Sequence, residues 1–281
     1  MNRAKWIRLA ALLLAVGGIS RALTQQPPSD LTLEKVAGDL HVIVGSGGNV
    51  AVLTTEEGVV LVDDKFAPNV PQILAKVKSL SDKPIKYILN THHHGDHTGG
   101  NQVLLASSEI IAHNNARANI IKNSMPGLPR IGFADQAAVT LGGKEVHARH
   151  FGAGHTNGDA VMYFPAHKVI HTGDLFVRGT PFIDYANGGS SDAWIKTLDG
   201  ILALDFETII PGHGPISKRE DLIKFKNDFE TVRGRVRELT RQGKGKDEVA
   251  ALLKVTDLPG WSIGGFTRSL PGLYDELSRA R

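Results

Sequence analysis

Four histidines and one aspartate lie within six consecutive positions, in the segment Thr91-His92-His93-His94-Gly95-Asp96-His97. The apolar run Ile85–Asn90 comes directly before the segment and predicts a β-strand that ends there. Side chains two positions apart on an extended segment point the same way, so His92 and His94 can converge on one ion. Asp96 and His97 follow a glycine that permits a tight bend, and they could serve a second ion. The segment therefore predicts a metal site at the end of a strand.

Three more segments place a single histidine or aspartate beside glycine at the end of a strand-like run. These residues are His155, Asp174 and His213. Each one alone would usually be a turn residue, but together with the first segment they complete two coordination spheres. The chain has no cysteine, so no ligand can be a thiolate, and imidazole and carboxylate are the remaining ligands expected for zinc.

Strand-like and helix-like stretches alternate in two blocks, without an internal repeat or a low-complexity tract. The first block predicts strands at Leu40–Val44, Asn49–Thr54, Gly58–Asp63 and Ile85–Asn90, and a helix at Asn69–Leu80. The second block predicts strands at Ile110–Ala112, Glu145–Phe151, Ala160–Phe164, Val169–Thr172 and Thr208–Ile210, and helices at Asn115–Lys122, Ser191–Leu204, Lys218–Arg241 and Lys246–Leu253. Two such blocks indicate a layered α/β or α+β sandwich.

The first 22 residues have the features of a secretory signal. Three basic residues, Arg3, Lys5 and Arg8, precede the apolar run Leu9–Ile19, and small residues follow it. The run is shorter than the roughly 20 residues that cross a bilayer, although an uncleaved anchor is the alternative. We expect residues 1–22 to be a signal peptide, residues 23–281 to be the folded domain, and the protein to be periplasmic or secreted without stable membrane association.

Removal of this signal would change the charge of the chain. The formal net charge of +3 becomes −1, because residues 1–22 contain four basic residues and no acidic one. The basic character of the full chain therefore gives no support for nucleic-acid binding. The expected partner is a small-molecule substrate, and the sequence does not indicate an oligomeric state.

The four motifs, in this order and at this spacing, resemble those of the metallo-β-lactamase superfamily. The resemblance runs from about Val36 to Gly214. It implies an α+β fold, a four-layer αβ/βα sandwich, with C-terminal helices added to the hydrolase domain. It also implies a metal-dependent hydrolase, with a ligand set closest to the glyoxalase II and lactonase members.

The resemblance assigns seven ligands to two zinc ions per chain, although iron or manganese could replace zinc. The first ion would be bound by His92, His94 and His155, the second by Asp96, His97 and His213, and Asp174 would bridge the pair. Asp63, at the end of an early strand, would brace the metal loop, because metal-binding histidines need a partner that fixes their tautomer.

Two divalent ions held about 3.5–4 Å apart share one hydroxide and lower its pKa towards neutrality. We expect that hydroxide to attack a carbonyl carbon, while Asp96 acts catalytically by relaying a proton to the departing atom. The sequence therefore predicts hydrolysis of a β-lactam, a lactone, or an ester or thioester. The fold does not choose among these classes.

Local features favour different substrates. An aspartate at the bridging position resembles glyoxalase II and the lactonases, whereas true β-lactamases place Cys or Ser in that region. Export would favour β-lactams, and Thr-Asn-Gly-Asp after His155 departs from the Gly-His that glyoxalase II has after this Thr. Tyr185 and Asn187 could contact a substrate oxygen, or they could belong to an ordinary turn before a helix capped by Ser190 or Ser191.

Two other functions compete with hydrolysis. Relatives of the same fold use histidine and aspartate ligands to oxidise persulfides with one iron, which makes an iron-dependent oxidoreductase the alternative. A non-catalytic metal-binding module is the third reading. The full ligand set, with His97 and His213, favours two metals.

Overall fold

The computed structural model describes residues 30–279, which form two mixed β-sheets and the helices that cover them. The predicted signal peptide lies outside the described residues. The first sheet has the order β1-β2-β3-β4-β5-β6-β7 and the second β13-β12-β11-β10-β9-β8. The strands are β1 Thr32–Ala37, β2 Leu40–Val44, β3 Val50–Thr54, β4 Val59–Val62, β5 Ile85–Asn90, β6 Glu109–His113, β7 Ile131–Phe133, β8 Gln136–Leu141, β9 Lys144–Arg149, β10 Val161–Phe164, β11 Val169–His171, β12 Thr208–Ile210 and β13 Ser217–Lys218.

Helices lie on the outer face of each sheet, and one short helix, at residues 95–98, carries two of the predicted ligands. The helices are α1 Val70–Leu80, α2 Gly95–Thr98, α3 Asn101–Leu104, α4 Asn114–Lys122, α5 Ser191–Leu202, α6 Arg219–Arg241, α7 Lys246–Leu252, α8 Ile263–Phe266 and α9 Leu270–Arg279. Among residues 30–279, none of these helices is long and apolar enough to cross a membrane.

Three apolar clusters separate four layers. The central cluster joins the two sheets, with Val62 and Leu89 from the first sheet and Met162 and Phe164 from the second. A second cluster packs α1 on the outer face of the first sheet, and the largest packs the C-terminal helices on the outer face of the second. Each layer buries one apolar face, as packed sheets and helices must. The predicted α+β sandwich is confirmed.

Helix α6 shows why the sequence folds locally as it does. Its buried residues recur every three or four positions and face the second sheet, whereas its other face is charged. Asp221, at the third position, accepts a hydrogen bond from the Lys218 backbone amide at 2.9 Å and begins the helix. Ser190 caps helix α5, and its hydroxyl accepts from the Ala193 amide at 3.1 Å. This is one of the two expected caps.

The strand directions determine where functional side chains meet. Strands β4, β5, β6 and β7 run parallel, and so do β11 and β12. The two sheets are joined where these strands end, because the Asn49 backbone amide donates to the Gly212 carbonyl at 2.8 Å. The Asn49 side chain also donates to the Pro211 carbonyl at 2.9 Å. Residues that follow parallel strands therefore converge at one edge of the sandwich.

Candidate metal centre

The predicted site residues lie together at this edge of the sandwich. Asp63 follows β4, the histidine segment follows β5, Asp174 lies in a short 3-10 helix after β11, and His213 follows β12. His155 comes from the loop between β9 and β10. All seven predicted ligands fall into two groups that could hold metal ions. The donor atoms in each group lie within 4.8 Å of one another.

The first group contains three histidines and Asp174. His94 Nδ1 lies 2.9 Å from His155 Nε2, and His155 Nε2 lies 3.6 Å from Asp174 Oδ2. The His92 ring centroid is 4.8 Å from that of His94 and 4.7 Å from that of His155. His92 Nε2 is buried and has no hydrogen-bond partner within residues 30–279. A buried nitrogen without a partner is unfavourable unless a ligand satisfies it.

The second group contains Asp96, His97 and His213. His213 Nε2 lies 3.2 Å from Asp96 Oδ2 and 3.3 Å from His97 Nε2. Asp174 Oδ1 lies 3.2 Å from His97 Nε2 and 3.4 Å from His213 Nε2. The two oxygens of Asp174 thus face different groups, which is the arrangement that a bridging carboxylate requires.

These distances fit small divalent cations. Ligand atoms bonded to a tetrahedral zinc ion at 2.0–2.1 Å lie about 3.3 Å apart from one another. The separations of 3.2, 3.3 and 3.4 Å around His97 and His213 match that value. The donor set of imidazole nitrogens and carboxylate oxygens also suits zinc. The same donors can bind iron or manganese, so they do not select zinc alone.

Three of the five histidines that face the metal groups are oriented by a carboxylate or carbonyl oxygen. Asp63 Oδ2 lies 2.7 Å from His97 Nδ1, and the Phe182 carbonyl accepts from His155 Nδ1 at 2.7 Å. Asp184 Oδ2 lies 2.8 Å from His94 Nε2. These contacts direct the remaining ring nitrogens, His97 Nε2, His155 Nε2 and His94 Nδ1, into the two groups.

The carboxylates dominate the electrostatics of the centre when no metal is bound. Burial disfavours charge on His213, but hydrogen bonds to Asp174 and Asp96 outweigh it and raise the pKa of His213 to about 9. Burial likewise opposes charge on His97, yet Asp174 and Asp63 hold its pKa well above the ordinary value. Burial raises the pKa of Asp96, but the hydrogen bond from His213 and the charge of His97 bring it down to about 2. Cations would take the place of these protons.

Strained backbone lies directly beneath the centre. Asp63 and Lys65 have φ angles of +62° and +59°, in the left-handed region that side chains other than glycine rarely adopt. The fully buried Lys65 Nζ donates to the Gly48 carbonyl at 2.6 Å. A methyl group added at Gly48 would lie 2.2 Å from the His97 ring. Lys65 therefore anchors the glycine loop that packs against His97, at a site where strain is retained.

The two predicted substrate-contacting residues have other partners. The Tyr185 hydroxyl donates to Glu276 Oε2 of α9 at 2.8 Å, so the structure does not bring it to the metal groups. The Asn187 amide donates to Asp184 Oδ2 at 2.7 Å, and Asn187 therefore reaches His94 only through Asp184. Tyr185 joins α9 to the turn before α5, which is the second of the two alternatives that the sequence left open.

Asp184 and Lys65 contact the site but were not predicted from the sequence. Asp184 lies 90 positions from His94, and Lys65 lies 17 positions from Gly48. Only one signal was available, a carboxylate in the same short segment as Tyr185 and Asn187.

The geometry agrees with the comparison to protein families. A family model described as the metallo-beta-lactamase superfamily matches residues 43–213, which is more than half of the chain. The chain belongs to this superfamily.

Relatives in the superfamily carry several different names. The α subunit of 2,4-dinitroanisole O-demethylase from Nocardioides sp. is 28% identical over 207 residues, which are 71% of this chain and 62% of that protein. A type 2 metallo-beta-lactamase from Bacteroides fragilis is 29% identical over 140 residues, covering 48% and 55%. A hydroxyacylglutathione hydrolase from Nostoc punctiforme is 32% identical over 130 residues, covering 43% and 44%. The chain thus spans less than two thirds of each of these relatives.

Solved structures of the superfamily share the fold. A metallo-beta-lactamase from Pontibacter korlensis superposes with a TM-score of 0.64 at 20% identity, covering 71% of this chain and 99% of that one. The DIM-1 metallo-beta-lactamase gives a TM-score of 0.64 at 19% identity, covering 73% and 99%. These likenesses confirm the predicted fold, and they leave part of this chain without a counterpart.

The anchor at Lys65 leads to a prediction about stability and pH. Burial lowers the pKa of Lys65 from 10.5 to about 8, against the raising effect of Asp63 and Asp96. A Lys65→Met variant leaves the Gly48 carbonyl without its donor, which costs roughly 1–3 kcal/mol of folding free energy. It also removes the unfavourable burial of an ammonium group, and this gain offsets the cost. We expect an unfolding free energy within about 1 kcal/mol of wild type near pH 7, and about tenfold weaker metal binding because Gly48 loses its anchor.

The pH dependence of the unfolding free energy distinguishes the effect of the buried Lys65 ammonium from a general loss of packing. Between pH 8 and 10.5 the unfolded chain binds more protons at Lys65 than the folded chain does, so this lysine makes wild-type stability rise with pH in that window. Denaturant titrations of the metal-free protein at several pH values should show this rise, and the Lys65→Met variant should lack it. An equal rise in both proteins would contradict the prediction.

Proposed function

We propose that the chain is a dinuclear metal hydrolase of small molecules, with zinc as the expected metal. The observation that supports this most is the position of Asp174, whose two oxygens face two separate sets of donor atoms. A site for one cation would need only one set. The completeness of the second group, Asp96, His97 and His213, therefore favours the hydrolase over an oxidoreductase with one iron.

The chain's own residues prepare this chemistry. When bound, paired divalent cations would lower the pKa of water and polarise a carbonyl oxygen. Asp96 lines the cleft beside the donor atoms, so its carboxylate is placed to relay a proton from water to a leaving group. The fixed tautomers of His94, His97 and His155 hold the reacting centre in one geometry.

The cleft suits a small substrate. Its volume is about 390 Å³, and Phe66 and Phe182 form part of its wall. Two relatives are named as a metallo-beta-lactamase and a hydroxyacylglutathione hydrolase, and a third as a subunit of a 2,4-dinitroanisole O-demethylase. We propose that the substrate is a β-lactam, a lactone, or an ester or thioester.

Metal analysis together with a substrate screen tests the proposal. Protein purified, stripped with a chelator and reloaded with zinc should bind two ions per chain. It should turn over at least one of a chromogenic cephalosporin, an aryl lactone and an aryl thioester, and the stripped protein should turn over none. One iron per chain, or no turnover of any class by protein loaded with two metals, would reject the proposal.

Export belongs to the same proposal, supported by the basic and apolar pattern of residues 1–22. The N-terminal residue of protein recovered from outside the cytoplasm checks it, because cleavage of the signal would leave a start near residue 23.

A further inference from the structure

The segment that leads into α5 orients two histidines of the first group. The Phe182 carbonyl accepts from His155 Nδ1 at 2.7 Å, and Asp184 Oδ2 lies 2.8 Å from His94 Nε2. The Asp184 backbone amide also donates to the His155 carbonyl at 2.8 Å. The position of residues 182–184 therefore determines which ring nitrogens of His94 and His155 face a cation.

Helix α9 packs against this segment and fixes it by several contacts. The Ile183 backbone amide donates at 2.9 Å to the hydroxyl of Ser269, which is fully buried directly before the helix. A methyl group added at Gly272 would overlap the Tyr185 ring, so the helix backbone and this ring are in close contact. The Tyr185 hydroxyl donates to Glu276 Oε2 at 2.8 Å. The segment therefore cannot move relative to α9 without breaking these contacts.

Glu276 also connects the segment to the start of α5. Its Oε2 accepts from the Ser191 backbone amide at 3.0 Å and from the Ser191 hydroxyl at 2.5 Å, and its Oε1 accepts from the Ser190 hydroxyl at 2.5 Å. Backbone amides at a helix N-terminus lack partners within the helix, and a negative charge is favoured there. One carboxylate thus satisfies donors from Tyr185, Ser190 and Ser191.

The contacts of Asp184 carry the effect of Glu276 towards the metal centre. The Asn187 side chain donates to Asp184 Oδ2 at 2.7 Å, so the carboxylate is fixed relative to its own turn. Displacement of that turn would therefore move the carboxylate away from His94. Among residues 30–279, those that line the cleft do not include Glu276, and its effect on the centre passes through this turn.

We propose that Glu276 is a positioning residue of the metal centre. By fixing Tyr185 and the start of α5, it keeps Asp184 within hydrogen-bond distance of His94 Nε2 and directs His94 Nδ1 to the first group. Glu276 lies beyond the matched residues 43–213, so the centre depends on a helix outside the part that the superfamily model covers. The consequence for metal affinity rests on the proposed function, whereas the consequence for the hydrogen bond between Asp184 and His94 does not.

Nuclear magnetic resonance of metal-free protein with ¹⁵N-labelled histidine tests this role. An imidazole N–H that donates to a carboxylate gives a downfield proton resonance that exchanges slowly with water, and Asp184→Ala identifies the resonance of His94. In Glu276→Gln this resonance should move upfield and exchange about tenfold faster, which corresponds to the loss of one hydrogen bond of ordinary net strength. The resonance of His97, which faces Asp63, should stay unchanged.

Tyr185→Phe is a second variant that keeps the packing. Phenylalanine fills the same space against Gly272 and lacks only the hydroxyl that donates to Glu276. It should shift the His94 resonance in the same direction as Glu276→Gln. Combining the two substitutions should change the resonance by less than the sum of the single effects, because both remove the same hydrogen bond. If Glu276→Gln does not fold, the spectrum of Tyr185→Phe decides in the same way.

A matched control removes a glutamate at the start of a different helix. Glu248 accepts from the Gly245 amide at 3.0 Å before α7, and its other partner is Lys244. Glu248→Gln should lose stability without changing the His94 resonance. An unchanged His94 resonance in a less stable Glu276→Gln, or an equal change at His94 and His97, would show that Glu276 only stabilises the fold and would overturn the inference.

Chelator competition measures the consequence for metal binding. Zinc-loaded Glu276→Gln should bind one of its two ions about tenfold more weakly than wild type, the smaller of the effects usual for loss of a partner that orients a ligand. Glu248→Gln should bind both ions as wild type does. Equal zinc affinity in wild type and Glu276→Gln would contradict the positioning role. Failure of the wild type to bind two ions would reject the proposed function, and the spectra of the metal-free protein would still decide the inference.

Discussion

An Asp174→Asn variant should lose turnover by about three orders of magnitude, because a bound divalent ion contributes several kcal/mol to the transition state and each 1.4 kcal/mol is tenfold. Among residues 30–279, Asp174 is the single residue whose two oxygens face both groups of donor atoms. Burial disfavours its charge, yet His97 and His213 hold its pKa well below the ordinary value. An amide of the same size cannot supply this charge, so one of the two ions should be lost or weakly held.

The substitution is chosen to keep the packing unchanged. A methyl group added at Gly212 would lie 2.0 Å from Asp174 Oδ1, which shows how closely the chain surrounds this carboxylate. Asparagine fills the same space, and circular dichroism and the unfolding midpoint of the metal-free variant should stay near wild type. The exposed Asp205, paired with Lys168 at 3.4 Å, provides the control Asp205→Asn. Two firmly bound metals and turnover within tenfold of wild type in Asp174→Asn would remove Asp174 from the bridge.

The sequence predicted the interior strands and failed at the edges of the sheets. The bounds of β2, β5 and β12 agree with those predicted from apolar runs. The four strands that were missed, β1, β7, β8 and β13, are the four edge strands of the two sheets. Natural edge strands are often short or carry charged residues. Here β13 has two residues, β7 has three, and β1 includes Glu34 and Lys35. In β1, the burial pattern includes no fully buried residue.

Helix α9 was missed for a different reason. Its first turn contains Pro271 and Gly272, which usually interrupt helices. Proline is tolerated in the first turn, where its missing N–H would have no partner. The helix is then stabilised by tertiary contacts, with Leu273 and Leu277 buried and Glu276 accepting from Tyr185 and Ser191. Contacts between residues 85 or more positions apart carry no local signal.

In the candidate site, too, the residues with a local sequence signal were predicted and those fixed by long-range contacts were not. The expected ligands could be recognised because each ends a strand-like run beside glycine, and the parallel strands bring them to one edge. The orienting carboxylate of His94 could not be recognised, since Asp184 and Tyr185 are neighbours with opposite roles. Which of the two side chains faces the centre depends on Glu276 of α9, and this helix was absent from the predicted elements.

Replacing Asp63 with alanine should lower the unfolding free energy by about 3–5 kcal/mol, the usual effect of removing one partner of a buried pair. Asp63 is fully buried and accepts from the Thr91 amide and hydroxyl, both at 2.8 Å, and from His97 Nδ1 at 2.7 Å. Alanine would remove the carboxylate that accepts from these three donors. Metal affinity at the second group should also fall 10–100-fold, because the tautomer of His97 is no longer fixed.

Denaturant unfolding of the metal-free protein measures the change in unfolding free energy, and chelator competition measures the change in metal affinity. An Asp63→Asn variant is the matched comparison. Its amide oxygen can still accept from the Thr91 amide, so more of the stability should remain, but its NH₂ group would face His97 Nδ1 and reverse the direction of that hydrogen bond. The ring nitrogen that must face a cation would then carry the proton. Asp63→Asn should therefore bind metal as weakly as Asp63→Ala, although it should be the more stable of the two variants. Equal metal affinity in wild type and Asp63→Asn would show that the carboxylate only stabilises the fold.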